Sequence, residues 1–193
     1  MNIRLAILTL AAALAAPVAA VAADDTARHL EESRALAKAM QGQLAPLLMK
    51  EINERGPDGA IGVCTTIAPS VASDLSRKNG VKVSRVSLRA RNPVLGTPDA
   101  WEQKVLAEFD RRAAAGEKPD AIEFGEVVAE PAGKSWRYMK ALPVMQLCTN
   151  CHGPADALST AVKARLQAEY PHDKATGYSV GQIRGAVTVK RPL

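Results

Sequence analysis

Apolar positions along the chain alternate between stretches of helical period and stretches of period two. From Thr26 to Asn53, Leu30, Ala37, Met40, Leu44, Leu47, Leu48 and Ile52 recur on one face with charged residues opposite, which predicts a long amphipathic helix. Pro46 lies inside it and is expected to kink or split it, because proline removes a backbone donor and crowds the preceding turn. Gly56-Pro57-Asp58-Gly59 reads as a turn, with Asp58 as the N-cap of a second helix. Ile61, Cys64, Ala68, Val71 and Leu75 form its buried stripe, Pro69 divides it, and Asn79-Gly80 ends it.

From Val81 to Asn92 the period drops to two. Val81, Val83, Val86, Leu88 and Ala90 alternate with Lys82, Ser84, Arg85, Ser87, Arg89 and Arg91, which predicts a strand with a basic face. Asn92-Pro93 closes it. A helix capped by Thr97 or Asp99 then runs through Trp101, Val105, Leu106 and Phe109 to Ala115-Gly116. Alternation returns over Ala121–Ala129 and Ser135–Leu142, with Pro131-Ala132-Gly133 between them as a hairpin turn. Asp156 to Glu169 is amphipathic through Leu158, Val162 and Leu166, and Ile183 to Val189 forms a last strand. Helices and strands mixed in this order predict an α+β fold.

Composition narrows this picture. The chain has 193 residues, 47% hydrophobic and only 4% aromatic, which allows one domain with a largely aliphatic core. A net charge of +5 is spread without a basic block, which argues against nucleic acid as a partner. At the N-terminus Arg4, the apolar run Leu5–Leu14 and the small residues Ala20-Val21-Ala22 read as a secretory leader over residues 1–23. The competing reading of this segment is an uncleaved anchor, because Leu5 to Ala23 is almost long enough to span a bilayer. Removal of the leader gives a single domain over residues 24–193 with no later apolar run, expected in the periplasm and off the membrane.

The candidate chemistry is concentrated in Leu147-Cys148-Thr149-Asn150-Cys151-His152-Gly153. Cys148, Cys151 and His152 form C-x-x-C-H, the attachment signature of c-type haem. The two thiols add to the haem vinyl groups as thioethers, and the adjacent imidazole is held as an axial ligand. A disulfide oxidoreductase would show its Cys pair at the start of a helix in a βαβ unit, and a structural zinc site needs a fourth ligand. Leu142-Pro143 before the motif and Gly153-Pro154 after it predict a loop. One covalently attached haem c is therefore the expected cofactor. The third cysteine, Cys64, reads either as a small buried hydrophobe or as an axial thiolate. Arg89 and Arg91 belong either to a solvated strand face or to a pair of haem propionate partners. His29 and His172 are the remaining imidazoles, and Met139 and Met145 the thioethers nearest the motif.

Four separated stretches carry a family resemblance. They are Ala60-Ile61-Gly62-Val63-Cys64; Val86 to Pro93 with Pro98 and Trp101-Glu102; Tyr138 to Pro143 leading into Cys148–Gly153; and Gly181 to Val189. Together they resemble the single-haem c-type, PAS-like family first catalogued as a domain of unknown function. The resemblance covers nearly all of the chain after the leader. It implies an antiparallel sheet flanked by helices, to which the periodicity adds a long N-terminal helix, and His and Cys as axial iron ligands, which here are His152 and Cys64. It also implies redox or small-molecule sensing; for a periplasmic haem protein the expected role is then redox or diatomic-gas sensing, or electron transfer, through a separate redox or signalling partner. Two other classes compete. A four-helix cytochrome of the c-prime type requires an all-helical chain. A peroxidase-type enzyme requires an open iron position and a distal acid or base, for which the sequence offers few histidines and no evident catalytic constellation.

Overall fold

The computed structural model describes residues 17–193, with side chains from Asp25 onward. Most of the expected leader, residues 1–16, lies outside the described residues, as do the side chains of its remainder. No helix among the described residues is long and apolar enough to cross a membrane.

Helix α1 spans Pro17–Gly59 and runs through Pro46 without a break. Gly42 and Pro46 are both exposed, so water can take the carbonyl that the missing N–H leaves free. The break falls at Gly56 instead, whose φ of 77° is open to glycine. The helical path resumes at Pro57 rather than after an Asp58 cap. Val63–Ile67 then forms a single π-helical turn, closed by the Ala68 N–H on the Val63 carbonyl. It leads directly into α2, Ala68–Asn79, where Pro69 sits in the first turn and interrupts nothing.

Four antiparallel strands make one sheet: β1 Lys82–Val86, β2 Glu123–Glu130, β3 Gly133–Pro143 and β4 Ile183–Pro192, ordered β1-β4-β3-β2. Helix α4, Ala100–Ala114, is capped by Asp99 with Glu102 reaching back in a capping box. It packs Val105, Leu106 and Phe109 on Val86, Met139, Ala141 and Ala186. The other face is covered by α1 and α2, through Leu36, Ala37, Met40, Val71 and Leu75 on Val83, Trp136, Tyr138, Val187 and Val189. Polar ties add to this face: the Trp136 indole donates to Ser33 Oγ at 3.0 Å, and Arg34 Nε donates to Glu123 at 2.8 Å. The fold is therefore α+β, an antiparallel sheet flanked by helices with a long N-terminal helix. An all-helical c-prime bundle is overturned by the sheet.

The strand expected over Val81–Asn92 stops at Val86. Ser87 gives the backbone an alternative to the ladder, since its hydroxyl accepts the Arg89 N–H at 3.1 Å and donates to the Arg184 carbonyl at 2.8 Å. Asn92 then caps the short helix α3, Pro93–Gly96, and Leu88 is left 47% exposed. Opposite this loop a Cβ at Gly185 would stand 2.4 Å from the Val86 carbonyl oxygen. Gly185→Ala is therefore expected to cost about 1–3 kcal/mol by overpacking, read as a fall in Tm of about 2–12 °C.

Candidate functional site

The C-x-x-C-H motif is not an open loop. After β3 the chain makes a 3-10 turn over Gln146–Cys148 and then the helical turn α5, Thr149–His152. Its start is tied by Thr149 Oγ1 donating to the Gln146 carbonyl at 2.6 Å, and its end by the Gly153 N–H on the Thr149 carbonyl at 2.9 Å. Flanking Leu-Pro and Gly-Pro pairs predict a break in longer elements, and they are compatible with one turn between two breaks. Cys148 and Cys151 stand three residues apart on this turn and so share one face. Both are free thiols. Cys148 Sγ accepts the Met145 N–H at 3.3 Å, while Cys151 Sγ donates to the Pro57 carbonyl at 3.6 Å. Cys151 packs beside Ile61, Leu158, Val162, Leu166 and Tyr170, the cluster formed with helix α6, Thr160–Glu169. Burial pushes its thiol up to about 11.

His152 is fixed by the segment that precedes β4. Its Nδ1 stands 2.7 Å from the Ala175 carbonyl, which can only accept, so Nδ1 carries the proton and Nε2 keeps a free lone pair. The Tyr178 N–H donates to the His152 carbonyl at 2.8 Å, and the Tyr178 ring meets the imidazole edge-on at 6.4 Å. Arg184 Nε lies 3.1 Å from Nδ1 and 3.5 Å from Nε2. Near-equal distances to both ring nitrogens put the guanidinium over the ring face, since an in-plane approach would collide with the carbon between them. Burial, then the positive charges of Arg184 and Arg91, hold the imidazole well below its usual range. It is neutral, the form that can coordinate a metal.

A cavity of about 340 Å³ brings this imidazole together with Cys64 from the π-helical turn. That volume lies within the roughly 300–1,000 Å³ of small-molecule and cofactor sites. Its apolar wall includes Met40, Ala68, Val83, Val86 and Leu142; its polar wall includes Arg85, Arg91, Arg184 and Tyr170. No Asp or Glu among the described residues lines it. The donor set fits haem: a neutral imidazole with its outer N–H held by a carbonyl, a thiol, and cations facing an apolar wall. A more open groove of about 580 Å³ on the α4 face contains Lys82, Asp99, Glu102 and Arg137 but neither Cys nor His.

The other sequence candidates separate. Arg91 lines the cavity, yet its Nε is 3.1 Å from Asp173 and a terminal nitrogen donates to the Cys151 carbonyl at 2.5 Å. Arg89 lies over the Tyr178 ring at 4.2 Å and donates to the Lys174 carbonyl, outside the cavity lining. His29 is buried near Trp136, His172 is exposed, Met139 is in the α4 core and Met145 is 61% exposed; none of these four lines the cavity. Met40, Tyr170, Asp173, Ala175 and Tyr178 were not legible as site residues. Ala175 acts through its backbone carbonyl, which no side-chain pattern can signal.

A family model described as Tll0287-like matches residues 14–192. A crystal structure of the cyanobacterial heme-protein Tll0287 shares the fold, with a TM-score of 0.59 at 24% identity, over 88% of this chain and 95% of that one. No curated protein matches.

Proposed function

Because the chain belongs to the Tll0287-like family, we propose that it is a haem protein, in which Cys148 and Cys151 would attach one haem c and His152 and Cys64 would hold its iron. The carrying observation is that the neutral His152 imidazole and the Cys64 thiol line one cavity with three arginines and no carboxylate among the described residues. When bound, haem supplies a one-electron iron couple and a centre for diatomic gases. The Ala175 carbonyl holds the Nδ1 proton and aims Nε2. Apolar side chains exclude water and set the local polarity. Arg91 and Asp173 brace the motif turn against the segment that carries Ala175, since Asp173 Oδ1 also accepts the Ala175 N–H at 2.7 Å.

Sensing of redox state or of a diatomic gas is the role we infer. Cys64 sits on a π-helical turn, a local irregularity that tends to occur at functional sites and adjusts more readily than a regular helix. A change in its contact with iron would reach α2 directly, and a separate signalling or redox partner would read it. Electron transfer is the other use of the same centre. The leader-like N-terminus supports a periplasmic location, tested by fractionation.

The decisive experiment is acid extraction of the denatured exported protein followed by a pyridine haemochrome spectrum. Colour retained on the polypeptide with a c-type spectrum is expected, and replacing Cys148 and Cys151 with Ser should release it. Haem that extracts freely from the unaltered chain sinks this reading.

A further inference from the structure

The cavity holds more positive charge than its surroundings neutralise. Of its three arginines, Arg91 is paired with Asp173 at 3.1 Å, and both side chains are under 10% exposed. Arg184 donates to Ser87 Oγ at 2.8 Å and to the Arg89 carbonyl at 3.3 Å while lying over the His152 ring. Burial pushes its guanidinium down to about 10. Both are engaged. Arg85 is not: among the described residues no side chain pairs with it.

Strand β1 fixes where Arg85 points. Its register partner is Val187 on β4, and period two puts it on the same sheet face as Val83, which packs against α1 and α2. Arg85 is half-buried there, in the wall that Cys64 and His152 also line. Its charge acts on the His152, Tyr170 and Arg184 side chains. A partly desolvated cation without a counter-charge is costly, so the arrangement fits a ligand that brings the anion with it. We propose that Arg85 takes a haem propionate through a charge-assisted hydrogen bond, a role the sequence pattern leaves open for Arg89 and Arg91. This rests on the haem reading above. Arg89 is spent on Tyr178 and the Lys174 carbonyl.

The test uses the full haem-loaded protein, with haem content and the ferric low-spin spectrum measured first. Loss of covalent haem in the unaltered chain is a failure of the haem reading itself. With haem present, Arg85→Gln should shift the propionate bending band in the resonance Raman spectrum. It should also lower the midpoint potential by about 59 mV, a tenfold change for one electron, because a cation that stabilises ferrous over ferric iron is gone. Arg85→Lys should restore much of the potential, and Arg89→Gln should change neither readout. An unchanged Raman band in Arg85→Gln with the low-spin spectrum intact overturns the contact, whatever the potential does.

Discussion

Cys64→Ala is expected to convert low-spin ferric haem to a high-spin or water-ligated form while the covalent attachment through Cys148 and Cys151 stays intact. The expectation follows from the cavity wall, where Cys64 is the thiol that shares the space with the His152 imidazole. Thiolate donation stabilises ferric iron, and the ferric charge in turn favours thiolate at a partly buried site. Its loss should therefore also raise the potential. Electron paramagnetic resonance of the oxidised protein reads the ligand change and a redox titration reads the second effect. On reduction of the unaltered protein the thiolate bond should weaken, so carbon monoxide should displace Cys64 and leave His152 bound. A ferric spectrum unchanged by Cys64→Ala would shift the sixth ligand to Met40, the methionine that lines the cavity. His172, exposed and outside the lining, does not compete.

Arg91→Ala is expected to be the most destabilising substitution near the site. It leaves the Asp173 carboxylate, 9% exposed, without its partner, and it removes the donor to the Cys151 carbonyl. Breaking a buried pair from one side costs about 3–5 kcal/mol, which for a chain of this size is a fall in Tm of about 6–20 °C. The loss should be local as well as global, because Asp173 also holds the Ala175 N–H, and the Ala175 carbonyl holds His152. Thermal unfolding by circular dichroism checks the first part. A broadened His152 ligand-field signature at temperatures well below Tm checks the second. Removing both partners together, as Arg91→Met with Asp173→Leu, should recover much of the stability but not the geometry of His152, since buried charges are replaceable as stabilisers and not as directional donors.

The linear order of residues was enough to give the α+β class, the hairpin of β2 and β3, the strand before the C-terminus, the helices α1, α2, α4 and α6, and the C-x-x-C-H triad. Each of these depends on near neighbours: apolar spacing, a cap such as Asp99, or reactive residues held three apart. Alternation carries the strand past Val86 to Asn92, because period two cannot register a Ser87 hydroxyl bonded to the Arg184 carbonyl 97 positions away. Pro46 predicts a kink or split that an exposed carbonyl makes unnecessary, whereas the turn residues Gly56-Pro57-Asp58-Gly59 do mark the break, which falls at Gly56. The basic alternation offers Arg89 and Arg91 either as a solvated face or as propionate partners, with Arg85 as one more alternating charge. Only the tertiary structure decided which of these guanidinium groups lacks a partner among the described residues, since that depends on where Asp173, Tyr178 and the Lys174 carbonyl come to lie. The meeting of Cys64 with His152 has the same origin: 88 positions separate them in the chain. The sheet and α1 bring the π-helical turn and the motif turn to one cavity, and no local pattern encodes such a distance.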